Sequence, residues 1–492
     1  MPAANTSEPT PAPHHEIIVV GAGFAGIGAA IKLKQAGMDF IVLEKSAEIG
    51  GVWRDNSYPD CACDVPSALY SYSFAPNPRW SHVFARQSEI KAYTDDVAAR
   101  FDILAHTKLN HEMRAAVWDP DARLWQIETS AGPFTARFVI FACGPMHKPV
   151  TPHIKGMESF TGTSFHSARW DHGQNLAGKR VAVIGSGASA IQFLPAIQPD
   201  VAELTLFQRT PPWVLPKMDA SIPEKWQRRF ARFPILQTAL RQVLYLYFER
   251  LNSSLNSPRA REKLEARALK NIHRGVKDEA LRQRLTPDYA IGCKRILQSN
   301  TWYRALAQPN VSVTGGVAEI RGDRVIAQDG SECQVDVIIY ATGFEVANPP
   351  VAELITGASG QTLAAQWQGS PQAYLGTMAA DCPNAFLTFG PNLYTFSSAF
   401  VILEAQLAYI MSALTQARSR KITTLAINPA TSETYNRNLQ TALATSVWNI
   451  GGCTSYFLDR NGHNATNWPW TTTAMRRRLK RFRLKDYVVS KA

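Results

Sequence analysis

The stretch Ile17-Ile-Val-Val20-Gly21-Ala-Gly23-Phe-Ala-Gly26 decides how the first part of this chain folds. Four consecutive apolar residues, all β-branched, read as a strand buried on both faces, as in a parallel sheet. The glycines that follow have separate roles. Gly21 permits a tight turn, Gly23 lets a pyrophosphate approach the backbone, and Gly26 lets the next helix pack closely on the strand. That helix runs to Gly37, and Phe40-Ile-Val-Leu43-Glu44 supplies the second strand. A carboxylate at that strand end accepts hydrogen bonds from a ribose 2′-hydroxyl and repels a 2′-phosphate, so Glu44 fits FAD or NAD and disfavours NADP.

The same grammar recurs at Arg180-Val-Ala-Val-Ile184 and Gly185-Ser-Gly187-Ala-Ser189-Ala190, with a helix through Ile197 and a strand from Glu203 to Gln208. Here the strand ends in Gln208-Arg209-Thr210, without an acid. An arginine at that point offers fixed donors and positive charge to a 2′-phosphate, which implies NADPH. Two unlike dinucleotide sites in one chain point to an electron relay from NADPH to FAD.

At 492 residues the chain exceeds the roughly 250 to 300 at which one core stops growing. The expected class is α/β, with two Rossmann-like dinucleotide-binding domains, one for FAD and one for NADP, and a helical insertion. Residues 1–15, rich in Pro, Ala, Thr and Ser, are expected to be a disordered lead-in. The first part of the FAD domain would span 16–150, closing with the strand Phe138 to Gly144. The NADP domain would span 151–345, with strands at Val311 to Val317 and Val335 to Ala341. Its insertion, 213–290, has the texture of long amphipathic helices, such as Trp226 to Leu251 and Arg259 to Leu285. Residues 346–492 would return to the FAD domain and form the tail.

Charge and cysteine usage narrow the partners. Fifty-two basic against 40 acidic residues give +12, a field that favours anionic ligands such as nucleotide phosphates. No helix-turn-helix, RNA-binding or zinc-finger pattern is present, so nucleic acid is not an expected partner. Seven cysteines, at 61, 63, 143, 293, 333, 382 and 453, form neither a disulfide framework nor a zinc quartet, and are read as reduced thiols of a cytoplasmic enzyme with no metal site. The N-terminus lacks the charged start and apolar core of a signal peptide. The longest apolar stretch, Phe396 to Leu414, contains Glu404 and Gln406 and reads as a buried helix, so no transmembrane segment is expected. Arg476 to Lys485 carries seven basic residues in ten and reads as a solvated helix end, without peripheral membrane contact.

Three further stretches carry a resemblance. Gly50-Gly51-Val-Trp53 leads through Tyr58-Pro59-Asp60 to Asp64; Phe160-Thr-Gly162-Thr-Ser-Phe-His166-Ser-Ala-Arg-Trp170-Asp171 lies before the second glycine fingerprint; Gly292-Cys-Lys294-Arg295 follows the helical insertion. Together they resemble type I Baeyer-Villiger monooxygenases of the flavin-containing monooxygenase superfamily, over nearly the whole chain from Ile17 to about Tyr487. The resemblance departs at Asp60, where the family usually has Gly or Met.

The resemblance implies that Gly51, Trp53, Asp64 and Tyr70 lie along FAD, that Lys294 joins Gly185, Gly187, Ser189, Ala190, Gln208 and Arg209 on NADP, and that Arg295 is the catalytic cation with Asp64 as its counter-charge. Phe160, Gly162, His166, Trp170 and Asp171 would be the family signature, placed to control how the two domains close. The implied reaction proceeds through a peroxyflavin that adds to a ketone or aldehyde, consuming O2 and giving an ester or lactone. Arginine chemistry suits that role. At about 4 Å and an effective dielectric near 20 its attraction for an anion is on the order of 4 kcal/mol, and it keeps its proton. In the tail, Gly390-Pro391-Asn392 and Gly451-Gly452-Cys453 resemble segments that close over flavin and substrate, with Trp448 or Trp468 as a substrate-contacting tryptophan. Two alternatives stay open: a nitrogen- or sulfur-oxygenating flavin monooxygenase, which would not need Arg295, and a flavin-binding redox regulator without turnover. The sequence carries no reading of the particular ketone or of oligomeric state.

Overall fold

The computed structural model describes residues 12–491. The expected lead-in therefore lies outside the described residues as far as residue 11, and its end is already ordered, because the first strand, His14–Val20, begins at His14. That strand pairs in parallel with Phe40–Leu43 on one side and Gly132–Phe141 on the other. Ile17, Ile18 and Val19 are almost fully buried, as a strand covered on both faces requires. An antiparallel meander, Met113–Asp119, Leu124–Thr129 and Gly132–Phe141, extends the sheet. Two short strands from far along the chain, Ile355–Thr356 and Ala385–Leu387, complete it in parallel.

A second, all-parallel sheet runs in the spatial order Val311–Thr314, Glu203–Phe207, Arg180–Ile184, Val337–Tyr340, Thr163–His166. Both sheets follow the α/β plan read from the two fingerprints. The strand expected over Val311 to Val317 ends at Thr314. Val317 instead opens an antiparallel three-stranded ribbon with Arg324–Ala327 and Glu332–Gln334.

The two long helices expected in the insertion are four. Trp226 to Leu251 is broken into Glu224–Arg232 and Pro234–Ser254. Pro234 has no N–H to continue the first helix, and it keeps Phe233 out of the helical region, at φ −130° and ψ 77°. Arg259 to Leu285 is likewise divided, into Pro258–Gly275 and Glu279–Leu285, the latter capped by the Asp278 carboxylate accepting from Leu281 N at 2.7 Å.

The apolar stretch near residue 400 forms the helix Ala399–Ser419, opened by the Ser398 hydroxyl accepting from Phe400 N. It is the one described helix long and apolar enough to cross a membrane. Its polar residues are engaged inside the protein: Gln406 Nε2 donates to Thr377 Oγ1 and two carbonyls, and Glu404 accepts from Ser73 N. The helix packs on Phe24–Gln35, with the Phe24 and Phe400 rings 4.5 Å apart, so the tail buttresses the first dinucleotide unit.

Candidate active site

The first fingerprint has the shape its glycines imply. Gly21 takes φ 103°, and a Cβ on Gly26 would lie 1.7 Å from the Gly21 carbonyl oxygen. A Cβ on Gly23 would meet only Gly51 Cα, at 3.8 Å, so the two glycines face one another across a space bounded by backbone. No side chain caps the helix Phe24–Gln35 and its first turn has no acid, which leaves its N–H groups for an anion. Glu44 is buried at the strand end; its Oε2 accepts from Ala22 N at 2.7 Å and its Oε1 from Ser46 N at 3.0 Å. Arg54 Nη1 lies 3.2 Å from the same carboxylate. These features fit FAD: a donor-rich helix end for the pyrophosphate and a fixed carboxylate for ribose.

Beyond Gly51 the chain brings Trp53 to Tyr70, whose hydroxyl accepts from Trp53 Nε1 at 2.9 Å. Asp60 stands at φ 58°, a left-handed conformation that glycine occupies without strain and that aspartate tolerates better than most residues. Its carboxylate lies 3.2 Å from Arg86. The departure from the family pattern thus keeps the turn and adds an ion pair.

The second fingerprint lies beside a cleft lined by Gln208, Arg209, Arg284, Thr314 and Asp329. Gln208 Oε1 is buried without a partner. Lys294 comes to this region across the domain: burial and then the Arg209 guanidinium hold its pKa below the ordinary lysine range. Two cations placed within each other's field fit a dianionic 2′-phosphate, which would relieve their repulsion. Arg284, fixed by its Nη1 donating to Val313 O at 2.7 Å, adds a third cation that sequence reading missed. It sits in the helix Glu279–Leu285, where one arginine among many carries no positional signal.

Arg295 and Asp64, 231 residues apart, form an ion pair, Nε donating to Oδ2 at 2.9 Å and Nη2 donating to the same oxygen. Burial, the largest single influence, pulls the Arg295 pKa down, but the Asp64 carboxylate together with Tyr456 and Cys63 outweighs it and the net shift is upward, so the guanidinium stays charged. The pair opens on a cavity lined by Phe248, Tyr394, Phe396 and Ser397 among others. The Arg295 guanidinium lies over the Tyr394 ring, 5.4 Å from its centre. Tyr394 is held in turn by its N–H donating to Thr466 O at 3.0 Å and its carbonyl accepting from Trp468 N at 2.8 Å. Neither tryptophan expected to contact substrate lines this cavity. Trp468 is fully buried with its indole N–H on Thr471 O, and Trp448 is buried at Val447–Ile450. Aromatics from the insertion and from the Gly390-Pro391-Asn392 segment occupy the walls instead.

The thiols read as all reduced are not. Cys293 and Cys453 form a disulfide; Cys61, Cys63, Cys143, Cys333 and Cys382 are free. Gly292 at φ 95° turns the Lys294-Arg295 loop toward the tail, and Ala290 N donates to Gly451 O at 2.9 Å. A Cβ on Gly451 would sit 2.6 Å from Cys293 Cβ, so only glycine lets the two loops meet. A separation of 160 residues gives no sequence signal for such a pairing.

The signature residues stand away from the cavity. Trp170 packs on Phe193 at 5.2 Å between ring centres, and Tyr58 from the flavin-side stretch packs on the same ring at 6.1 Å. His166 Nδ1 accepts from Ala168 N at 3.0 Å, its Nε2 is buried without a partner, and burial lowers its pKa. Asp171 Oδ1 accepts from Gly173 N. Phe160 crowds Gly162, where a Cβ would approach its ring at 2.7 Å.

Comparison with known proteins agrees with this geometry. Residues 18–234 match the family described as pyridine nucleotide-disulphide oxidoreductase. A Baeyer-Villiger monooxygenase of Streptomyces coelicolor is 45% identical over 97% of this chain and 93% of its own length. One of Pseudomonas aeruginosa is 42% identical over 98% and 93%. The solved structure of OTEMO in complex with FAD and NADP is 25% identical, superposes with a TM-score of 0.89, and is matched over 98% of this chain and all of that one.

Proposed function

The chain belongs to the Baeyer-Villiger monooxygenases, and from that premise we propose how its own residues divide the work. It is an FAD-containing, NADPH-dependent enzyme that inserts one oxygen atom from O2 beside the carbonyl of a ketone or aldehyde, giving an ester or lactone and water. When bound, the flavin takes a hydride from NADPH and activates O2. Every other contribution is the protein's.

Gly23 and Gly51 bring backbone close to the FAD phosphates, Gly21 makes the turn that presents them, Gly26 lets the helix pack behind it, and Glu44 orients the ribose. Trp53, Tyr70 and the Asp64 backbone flank the ring system. Gly185, Gly187, Ser189, Ala190 and Gln208 receive NADP, while Arg209 and Lys294 hold its 2′-phosphate. Arg295 is the catalytic cation: it stabilises negative charge on the reacting oxygen and on the former carbonyl oxygen as the new bond forms. Asp64 keeps it aimed by accepting two of its N–H bonds. The single observation that carries this reading is the Arg295–Asp64 ion pair opening on an aromatic cavity.

We read 16–150 with 346–492 as the FAD-binding part, on the strands Ile355–Thr356 and Ala385–Leu387 that rejoin the first sheet. Residues 151–345, insertion 213–290 included, form the NADP-binding part. Phe160, Gly162, His166, Trp170 and Asp171 act at the boundary between them, supported by the shared packing of Trp170 and Tyr58 on Phe193.

The test is product analysis after incubation with NADPH, O2 and a mixed set of linear, cyclic and aryl ketones beside a sulfide. Ester or lactone formation is expected. Sulfoxide without any ester would favour nitrogen- or sulfur-oxygenation instead.

A further inference from the structure

The helix Pro234–Ser254 buries one face in the protein and leaves a second, apolar face outside. Its inward positions recur at helical spacing as Gln237, Arg241, Tyr245, Phe248 and Asn252. Gln237 Nε2 donates to Asn77 O at 2.6 Å, and Arg241 Nη1 donates to the carbonyls of Leu69 and Ser71 at 3.1 and 2.8 Å. Its outward positions are Ile235, Leu236, Leu240, Val243, Leu246 and Tyr247, each 37 to 71% exposed. Gln237, Arg241 and Asn252 are thus turned inward beside Tyr245 and Phe248, while six large apolar side chains are left facing out. Water alone does not favour that arrangement.

The apolar face is also concentrated. Of fourteen large hydrophobic residues exposed among those described, nine lie between Met218 and Tyr247, so this is one patch and not the scattered exposure normal for a globular surface. Trp226 and Phe233 belong to it, on and after the helix Glu224–Arg232. That short helix carries Lys225, Arg228, Arg229 and Arg232 against a single acid, Glu224.

A second basic surface lies toward the other end of the helix Pro234–Ser254. The Glu249 carboxylate accepts from Thr472 N and Thr473 N at 3.0 and 2.9 Å, and Tyr245 bonds the Thr473 hydroxyl at 2.7 Å. These contacts fasten the helix Thr472–Leu479 to Pro234–Ser254, and Arg476 lies over the Tyr245 ring. From there the seven basic residues of Arg476 to Lys485 are all exposed. The segment read as a solvated helix end thus borders an apolar face.

We propose that this face docks on the surface of a membrane rich in anionic phospholipid. Aliphatic and aromatic side chains enter the acyl boundary, and the flanking arginines and lysines meet the phosphates. A second copy of the chain fits less well, because a two-fold contact on this patch would bring together the basic rims of both copies, Lys225 to Arg232 and Arg476 to Lys485, with few acids to answer them. The same helix reaches the catalytic cavity from its inner side through Phe248. An apolar ketone dissolved in the bilayer would therefore meet the protein on the helix that walls the site.

The test is co-sedimentation of the holoenzyme with vesicles of phosphatidylcholine alone or mixed with phosphatidylglycerol. Binding to the mixed vesicles, at least tenfold weaker at high salt or on pure phosphatidylcholine, is expected. The triple variant Ile235→Glu, Val243→Glu, Leu246→Glu should lose binding at least tenfold while oxidising a water-soluble ketone at the unchanged rate, and the milder Val243→Ser should show a smaller loss with the same activity. Arg477→Gln with Arg481→Gln should weaken binding chiefly at low salt. Failure to sediment with the mixed vesicles, sedimentation unchanged by the apolar substitutions, or a dimer in solution that the triple variant alone turns to monomer would each overturn the proposal.

Discussion

Arg295 reaches across 231 residues of sequence to place both Nε and Nη2 on one oxygen, Oδ2, of Asp64. The side chains are 25 and 30% exposed, enough shelter for the charge to act and enough opening for a substrate to reach it. Replacing Arg295 by Ala should abolish ester formation while NADPH oxidation continues, read by product chromatography beside NADPH absorbance. An unchanged ester yield refutes the catalytic assignment.

Asp64→Asn separates aiming from charge. The amide keeps the volume but removes the negative partner, leaving the guanidinium free to turn. We expect kcat for ester formation to fall at least tenfold with the KM for NADPH nearly constant, since Arg209 and Lys294 are untouched. A rise in KM alone would place Asp64 in nucleotide binding.

Lys294 and Arg209 should read the 2′-phosphate together. Loss of one charged hydrogen bond costs about 1.5–3 kcal/mol, so Arg209→Ala should raise the KM for NADPH by about 10- to 100-fold and leave that for NADH almost unchanged. The pH dependence has a definite sign. Because burial and Arg209 lower the Lys294 pKa, its charge is lost at a pH below that of an ordinary lysine. Affinity for NADPH is then full where the 2′-phosphate is dianionic and Lys294 still charged, and KM climbs as pH rises through that lowered value. Lys294→Arg, which does not titrate, should flatten the climb; a KM profile identical to the parent would refute the assignment.

What the sequence made legible was local and periodic. The two fingerprints, Glu44 and Arg209 are read within about thirty residues each, because strand, turn and helix are set by neighbours. The Lys294-Arg295 pair was legible through family likeness alone, since nothing near residue 295 reports that Asp64 will face it. The missed features are all long-range or signless in sequence. Tyr394 lies under Arg295 only because the Gly390-Pro391-Asn392 turn is clasped by the tail, with Asn392 Nδ2 donating to Asn464 O at 2.6 Å. The helix Pro234–Ser254 shows its amphipathicity in the sequence, but not which face points inward. The Cys293–Cys453 bond depends on two glycine loops that meet only in the tertiary structure, 160 residues apart in sequence.

That bond gives a prediction of its own. It closes a loop of 160 residues and ties the Lys294-Arg295 loop to the segment carrying Tyr456. A cross-link of this kind contributes about 2–4 kcal/mol by restricting the unfolded chain. Reductant should lower the Tm of the enzyme by several degrees and lower the fraction of NADPH that ends in ester, as the Arg295 loop loosens. The double variant Cys293→Ser, Cys453→Ser should match the reduced protein and be insensitive to further reductant. A parent Tm indifferent to reductant, with both thiols alkylated after treatment, would show that the bond fastens nothing.

Gly162 tests whether the signature segment shapes the domain or takes part in the reaction. A Cβ there would lie 2.3 Å from the Asp336 carbonyl oxygen and 2.7 Å from the Phe160 ring, with backbone on one side that cannot move away. Asp336 also holds Arg180, at 2.6 Å, at the start of the first strand of the second fingerprint, and Arg180 keeps the Asp336 pKa down to about 2. Pushing this corner apart should cost about 1–3 kcal/mol, the usual range for overpacking. Gly162→Ala should therefore lower Tm and raise the KM for NADPH, while the ester formed per bound NADPH oxidised stays close to that of the parent. A variant of normal Tm that oxidises NADPH yet makes no ester would instead put the segment in the reaction itself.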